Sequence, residues 1–275
     1  MEQDVERILA ICTCHNRREK TIKCIESLIN GNSTPFHFIV VDDGSTDGTK
    51  EALKTLKNID VINGSGDLYY SKGMSKGMEY AKRHLKGEYK YVMLLNDDVC
   101  FFEGSIDSLT KFAKDDRQII IGATCDEQRK LTYGGGIKKS RFFPAFDIVM
   151  SGTQIIECDT FNANCVLVPF DIFLKEESID CRFSHSLGDY DYGLRLSGAG
   201  YVLVVSDFFV GRCNDNPRRG TWMDSSLPIK RRIELKESPK GLPTKDWFYF
   251  VKRYYGFFSA CISVVKPYIR IMIKR

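Results

Sequence analysis

Several signatures are missing from this chain of 275 residues, and each absence removes a class of function. No Cys-x-x-Cys pair occurs among its ten cysteines, so the usual zinc-ribbon and dithiol patterns are absent. Cys12 and Cys14 make only a weak zinc signal. Cys12, Cys24, Cys165 and Cys261 fall inside apolar strand or helix patterns, where a reduced thiol behaves as a small hydrophobe. A reducing compartment is the expectation. The opening MEQDVERILA sets acids before a short apolar run, unlike a secretory signal. No uncharged apolar run reaches the roughly 18–20 residues that a membrane-spanning helix needs. The expected location is therefore cytoplasmic. A net charge of only +4 offers no broad basic field for nucleic acid, and no such partner is expected. There is no internal repeat and no low-complexity tract.

What is present is the rhythm of an α/β protein. Apolar runs at Ile8–Cys14, Phe36–Val41, Val61–Ile62, Tyr91–Leu95 and Ile119–Thr124 predict strands, separated by segments with helical periodicity. Ile22, Ile25, Leu28 and Ile29 fall on one face of a helix over Arg18–Asn30, and Met74, Met78, Ala81 and Leu85 mark another. Beyond Thr124 the alternation decays. Gly134-Gly135-Gly136 predicts a hairpin or excursion, Asn164–Val168 and Tyr201–Val205 predict strands, and Asp189–Ser197 a helix. Residues 214–246, with Pro217, Pro228, Pro239 and Pro243 among many charges, read as a flexible loop or flap.

Two of the predicted strands run straight into paired carboxylates, Asp42-Asp43 and Asp97-Asp98. In open α/β sheets ligands bind beyond the carboxyl ends of strands. Clustered carboxylates repel one another unless a cation or hydrogen-bond donors join them. Taken singly, DDGS also reads as an Asx turn and NDD as a capping loop. Together, FIVVDDGSTDGT and YVMLLNDDV resemble the nucleotide- and metal-binding signatures of glycosyltransferase family 2, the GT-A fold. CTCHNRREKTIKCIESL is similar to the opening of that family, GDLYYSKGMSKGMEYA to its donor loop, and SLGDYDYGLRLSGAGY to its acidic acceptor-side helix.

The resemblance implies a GT-A (Rossmann-like) mixed, mostly parallel sheet flanked by helices over residues 1–213; composition adds the flap over 214–246 and a basic-aromatic helical extension over 247–275. It implies an inverting transfer of a sugar from a nucleotide-sugar donor to a hydroxyl acceptor, saccharide or lipid-linked, in the setting of bacterial surface polysaccharide. It places Thr13, Cys14, Asp42, Asp43, Asp67, Lys72 and Asp97 around the nucleotide and donor sugar, and Asp98 on Mg²⁺ or Mn²⁺. Asp189 and Asp191 are the candidates for the general base. Where relatives carry a histidine after a late strand, this chain has Arg212, with His15 and His185 as other candidate ligands. A sugar-1-phosphate nucleotidyltransferase would show a glycine-rich loop after the first strand, which CTCHNRREK is not. A relative that binds nucleotide sugars without turnover is a further alternative, disfavoured by Asp98 and Asp189.

From Trp247 onward there is no acid, only Lys252, Arg253, Lys266, Arg270, Lys274 and Arg275 interleaved with aromatics. That pattern predicts peripheral contact with an anionic membrane, on the inner face of the cytoplasmic membrane. A helix packed on the core with solvated cations is the competing reading.

Overall fold

The computed structural model describes residues 7–85, 89–112, 114–115, 117–215 and 217–273. Lys274 and Arg275 of the basic tail lie outside them. In chain order the first elements are β1 (Arg7–Cys14), α1 (Arg18–Gly31), β2 (Phe36–Asp42), α2 (Thr49–Leu53), β3 (Ile59–Asn63), α3 (Tyr69–His84) and β4 (Tyr89–Leu95). Then come β5 (Cys100–Phe101), α4 (Ser105–Thr110), β6 (Ile119–Cys125), β7 (Leu131–Tyr133), β8 (Gly135–Lys138) and β9 (Phe146–Val149). The chain continues through β10 (Ile156–Glu157), β11 (Thr160–Phe161), β12 (Cys165–Pro169), α5 (Phe170–Lys175) and α6 (Gly188–Gly198). It ends with β13 (Leu203–Arg212), α7 (Ile229–Glu237) and α8 (Thr244–Ile273).

The main sheet runs β10-β13-β6-β12-β4-β1-β2-β3, with β5 and β7 attached at one side. Strands β4, β1, β2 and β3 pair in parallel, β12 enters antiparallel between β4 and β6, and β13 lies parallel to β6. The sheet is buried on both faces, and side chains alternate along β1 with the period of two that a strand imposes. Ile8, Ala10 and Cys12 pack with Cys24, Ile25 and Leu28 of α1 and Leu109 of α4. Leu9 and Ile11 face Met74, Met78 and Ala81 of α3, with Phe173 of α5 and Tyr192 of α6. This is the expected α/β fold, and the excursion around the three glycines is a second sheet, β11-β8-β9.

Two sequence expectations are corrected. Part of the segment read as loop, Ile229–Glu237, is helical. Its charges misled because two of them are interior: Arg232 donates to the carbonyls of Trp222 (3.0 Å) and Ile271 (2.9 Å), and Lys236 to Thr244 Oγ1 (2.6 Å). The aliphatic stems of such side chains pack while the heads find acceptors. Second, α8 is long and apolar enough to cross a membrane by length and composition, with a mean hydropathy of 1.4 over its most apolar stretch. The cations Lys266 and Arg270 had interrupted that run in the sequence. The helix is broken at Gly256, whose φ of 85° lies in the left-handed region. Phe250, Val251 and Ala260 of α8 form a small core with Phe183 and Leu194, joining α8 to α6.

Candidate active site

The carboxyl ends of β1, β2 and β3 are level, because Cys14 pairs with Asp42 and Asp42 with Asn63. The end of β4 joins them through its pairing with β1, and the antiparallel start of β12 meets it there as Cys165 opposite Leu95. The loops carrying Asp42-Asp43, Gly64-Ser65-Gly66, Asp97-Asp98 and Asn164 therefore share one rim.

Each loop on this rim is tied to the next. The Asp42 Oδ1 accepts the Ser45 amide at 3.0 Å, the Asx turn expected of DDGS. Asp43 is different: its two oxygens accept the amides of Gly66 (2.8 Å), Leu68 (2.9 Å) and Tyr69 (3.1 Å). Its carboxylate thus sits at the N-terminus of α3, where amides point outward and negative charge is favoured. Gly66, at φ 95°, provides a backbone conformation open to glycine, and any side chain at Gly64 would strike Asp43. Thr13 donates to the Val41 carbonyl at 3.1 Å and packs where Gly73 of α3 has no Cβ. Asp67 bonds the Ser65 hydroxyl, and both Asp67 and Lys72 are exposed.

The acidic pair after β4 is held by a residue that had no assigned role. Arg17, just before α1, spans both carboxylates: Nη1 lies 3.1 Å from Asp97 Oδ1 and Nη2 2.5 Å from Asp98 Oδ2. Asp97 is buried and also accepts the Thr21 hydroxyl at 3.0 Å. Burial pushes its carboxyl up to about 6, with Arg17 pulling the other way. Asp98 is more open, and its Oδ1 faces the Cys213 thiol at 3.6 Å, which in turn receives the Asn164 amide at 3.3 Å. Burial, then the Asp98 charge, raises that thiol to about 12. Cys213, one residue past β13 and still bonded through its amide to the Cys125 carbonyl, is turned inward to the site, while Arg212 is exposed, its guanidinium 5.8 Å from the Phe102 ring centre. His15 is also exposed, its Nδ1 2.5 Å from the Asp43 carbonyl.

The segment Asn162–Asn164 links this pair to the N-terminus of α6. Asp189 Oδ1 accepts the Tyr190 amide at 2.8 Å and Oδ2 the Ala163 amide at 3.3 Å, with the Asn162 side chain adding a third bond. Burial outweighs these donors and lifts the carboxyl to about 6. The Tyr70 hydroxyl, buried and without a hydrogen-bond partner among the described residues, lies close enough to feel the Asp189 charge. His185 is driven down to about 4 by burial, with Lys240 and Arg17 adding to the effect, and is neutral at physiological pH. Its carbonyl accepts the Ser71 hydroxyl at 2.9 Å, linking α3 to the approach of α6. Tyr69 and Leu187, which precede or open these helices, hold φ of 54° and 76° despite carrying side chains. Such strain collects where the surroundings over-determine the backbone, as at binding sites.

Asp191 has another environment. It is fully buried, with Oδ2 on Arg195 Nε (2.9 Å) and Oδ1 on Arg253 Nη1 (2.7 Å) and the Tyr254 hydroxyl (2.8 Å). It is the joint between α6 and α8. Removing one member of a buried charge network leaves the others uncompensated. Asp191→Asn is expected to cost about 3–5 kcal/mol, read as a fall in thermal midpoint of roughly 10 °C. A midpoint within a degree or two of the wild type would contradict that structural role.

Among the described residues no group of three or more His, Cys, Asp or Glu side chains gathers as a metal cage. A site for Mg²⁺ or Mn²⁺ beside a diphosphate has no need of one, because one or two carboxylates with phosphate and water oxygens complete the shell. Asp98, whose side chain is partly open to solvent, fits that donor set.

Residues 10–162 match the family described as Glycosyl transferase family 2. A stretch of 116 residues is 31% identical to an uncharacterized glycosyltransferase of Rickettsia bellii (strain RML369-C), covering 41% of this chain and 16% of that protein. The chain thus spans a small fraction of that relative's length. Among solved structures, the mannosyltransferase PcManGT from Pyrobaculum calidifontis, in complex with GDP-Man and Mn²⁺, superposes with a TM-score of 0.57 at 13% identity, over 97% of this chain and 73% of its own. S. aureus TarS 1–349 gives 0.55 at 12% identity, over 98% and 81%. At such identities the likeness is one of fold, and that fold is GT-A.

Proposed function

The chain belongs to glycosyl transferase family 2, and we propose that it transfers a sugar from a nucleotide-sugar donor to a hydroxyl acceptor in one displacement, with inversion at the anomeric carbon. The observation that carries this reading is the clamped pair Asp97 and Asp98 linked to Asp189 through Cys213, Asn164 and Ala163. The base and ribose go to Thr13, Cys14, Asp42 and Asp43, with Asp97 next to the ribose or sugar. Asp67 and Lys72, on the loop and first turn of α3, meet the donor sugar and phosphates. Asp98 holds Mg²⁺ or Mn²⁺, as the Mn²⁺ in the PcManGT complex suggests. When bound, the ion neutralises charge on the departing diphosphate. The acceptor is a saccharide or lipid-linked saccharide, and bacterial surface polysaccharide assembly is the setting that the family resemblance suggests.

The chain's own groups then act as follows. Asp189 takes the acceptor hydroxyl proton as its oxygen bonds the anomeric carbon, while the bond from that carbon to the phosphate oxygen breaks. Arg17, freed from Asp98, pairs with the diphosphate as a bidentate donor. Tyr70 and neutral His185, packed edge-on, stand beside the base.

Turnover tests the reading: a panel of nucleotide sugars with Mn²⁺ should release nucleoside diphosphate with one donor in the presence of a saccharide acceptor. Release of pyrophosphate from a sugar phosphate and nucleoside triphosphate, or binding without release, would overturn it. The pH profile adds a second check. A base must be deprotonated, and burial sets Asp189 at about 6, so kcat/KM should fall about tenfold per unit below that pH. A profile flat down to pH 4.5 or so would exclude Asp189 as the base.

A further inference from the structure

A second basic and aromatic segment, far from the tail in sequence, folds against it. The turn between β8 and β9 reads Lys138-Lys139-Ser140-Arg141-Phe142-Phe143, and Phe142 is 72% exposed. Lys266 of α8 stands 3.8 Å over the Phe143 ring. Beyond its break at Gly256, α8 buries Ala260, Ser263, Pro267 and Ile271 against the protein and leaves Phe258, Ile262, Val265, Ile269 and Met272 exposed. Those five recur at four, three, four and three residues, so they form one outward apolar stripe. Lys266 and Arg270 lie between the buried and exposed faces, and no carboxylate pairs with Lys138, Arg141, Lys266 or Arg270 among the described residues.

Two cavities open on either side of the turn. One, of about 300 Å³, is lined by Phe143, Lys266, Arg270, Ser263 and both tryptophans of the chain, Trp222 and Trp247. The Ser263 hydroxyl is buried there without a hydrogen-bond partner among the described residues. The other, of about 270 Å³, lies among Lys138, Lys139, Arg141, Tyr254 and Tyr255.

We infer that the β8–β9 turn and the outer stripe of α8 together form a docking surface for an anionic lipid bilayer, with phosphate headgroups seated in the two cation-lined cavities. Lys and Arg donate to headgroup phosphates, Trp and Tyr sit at headgroup depth, and the stripe enters the acyl boundary. A second copy of the chain is a poorer occupant, because residues 247–273 hold no acid and two such faces would oppose cation to cation. The helix lies on the bilayer rather than through it, since its inner face is committed to the protein and Gly256 breaks its length. The surface also backs the acceptor side: Phe146 of β9 packs edge-on to Tyr190 at 5.1 Å, and Tyr254 bonds Asp191. For the acceptor this rests on the proposed transferase reading, and it narrows the acceptor to one carried on a lipid.

Binding is tested without turnover, by flotation of the full chain with vesicles of phosphatidylcholine alone or mixed with phosphatidylglycerol. The wild type should float with the mixed vesicles only, and added salt should release it. The double variant Lys138→Gln/Arg141→Gln, with α8 intact, should bind about tenfold more weakly, and Phe258→Ser/Ile262→Ser should also lose binding. Both pairs are exposed, so each variant should fold as the wild type does, checked by its thermal midpoint. Asp189→Asn should float like the wild type, which separates failure of docking from failure of catalysis. Equal binding to neutral vesicles, no loss in the turn variant, or self-association without vesicle binding would overturn the inference.

Discussion

Asp98→Asn should lower sugar transfer by about two to three orders of magnitude, the scale of losing one charge-stabilising group at a reaction centre. The physical reason lies in what Asp98 is free to do. Asp97 is buried and committed to Thr21 as well as Arg17, whereas Asp98 is the open member of the pair. The guanidinium of Arg17 already pairs with both, one positive charge set between two carboxylates. A divalent ion must displace it, so Mn²⁺ binding to the protein alone should be weak. A nucleoside diphosphate gives Arg17 a better bidentate partner and brings phosphate oxygens to the ion. Mn²⁺ affinity, followed by electron paramagnetic resonance, should therefore rise when the diphosphate is added, and Asp98→Asn should abolish that rise. Chelator should silence the wild type and excess Mn²⁺ restore it, while the variant stays silent with an unchanged thermal midpoint. Full turnover in excess chelator would remove the metal from Asp98.

The parts of this site that were legible in the sequence are those set by local physics. An apolar run that ends in Asp42-Asp43 or Asp97-Asp98 puts those carboxylates at a strand end whatever the rest of the chain does, and helical spacing put Met74, Met78 and Ala81 against the sheet. The parts that were not legible depend on distant segments meeting. Arg17 stood in plain view in CTCHNRREK, but its span across Asp97 and Asp98 bridges about eighty positions of chain. Its signal was charge balance: two adjacent carboxylates at a buried strand end require a donor, and Arg17 is the cation on the neighbouring loop. Cys213 was passed over for Arg212 because the register of β13 decides which of two neighbours faces inward. The helix α7 was hidden by its own charges, since buried Arg232 and Lys236 look like solvent-facing residues until their acceptors are known. The basic turn between β8 and β9 carried no signal beyond its composition until α8 was found beside it.

Asp189→Asn should retain donor binding and lose transfer by about 100- to 10,000-fold, the usual contribution of a positioned base. Asp189 and Asp191 are two apart in the first turn of one helix, so their side chains point in nearly opposite directions. Asp191 turns toward α8 and is saturated by Arg195, Arg253 and Tyr254. Asp189 turns toward Ala163 and Tyr70, and the neighbouring Asn164 bonds the Cys213 thiol beside Asp98. The two backbone amides fix its direction, and burial leaves it basic enough to accept a proton near neutrality. Asparagine keeps the size of the side chain but has one acceptor oxygen, so its amide group must oppose one of those two amides. A modest loss of stability is expected alongside the kinetic one, about 1–3 kcal/mol for the amide left unsatisfied. The kinetic signature separates the two effects. Donor affinity by calorimetry should be unchanged, kcat should collapse, and the fall in rate below a pH of about 6 should shrink to the share carried by Asp97, which burial also lifts to about 6. Asp191→Asn should show the reverse pattern, a lower thermal midpoint with the acid limb intact in the folded fraction. A folded but inactive Asp191→Asn beside an Asp189→Asn that transfers sugar at near the wild-type rate would exchange the two roles.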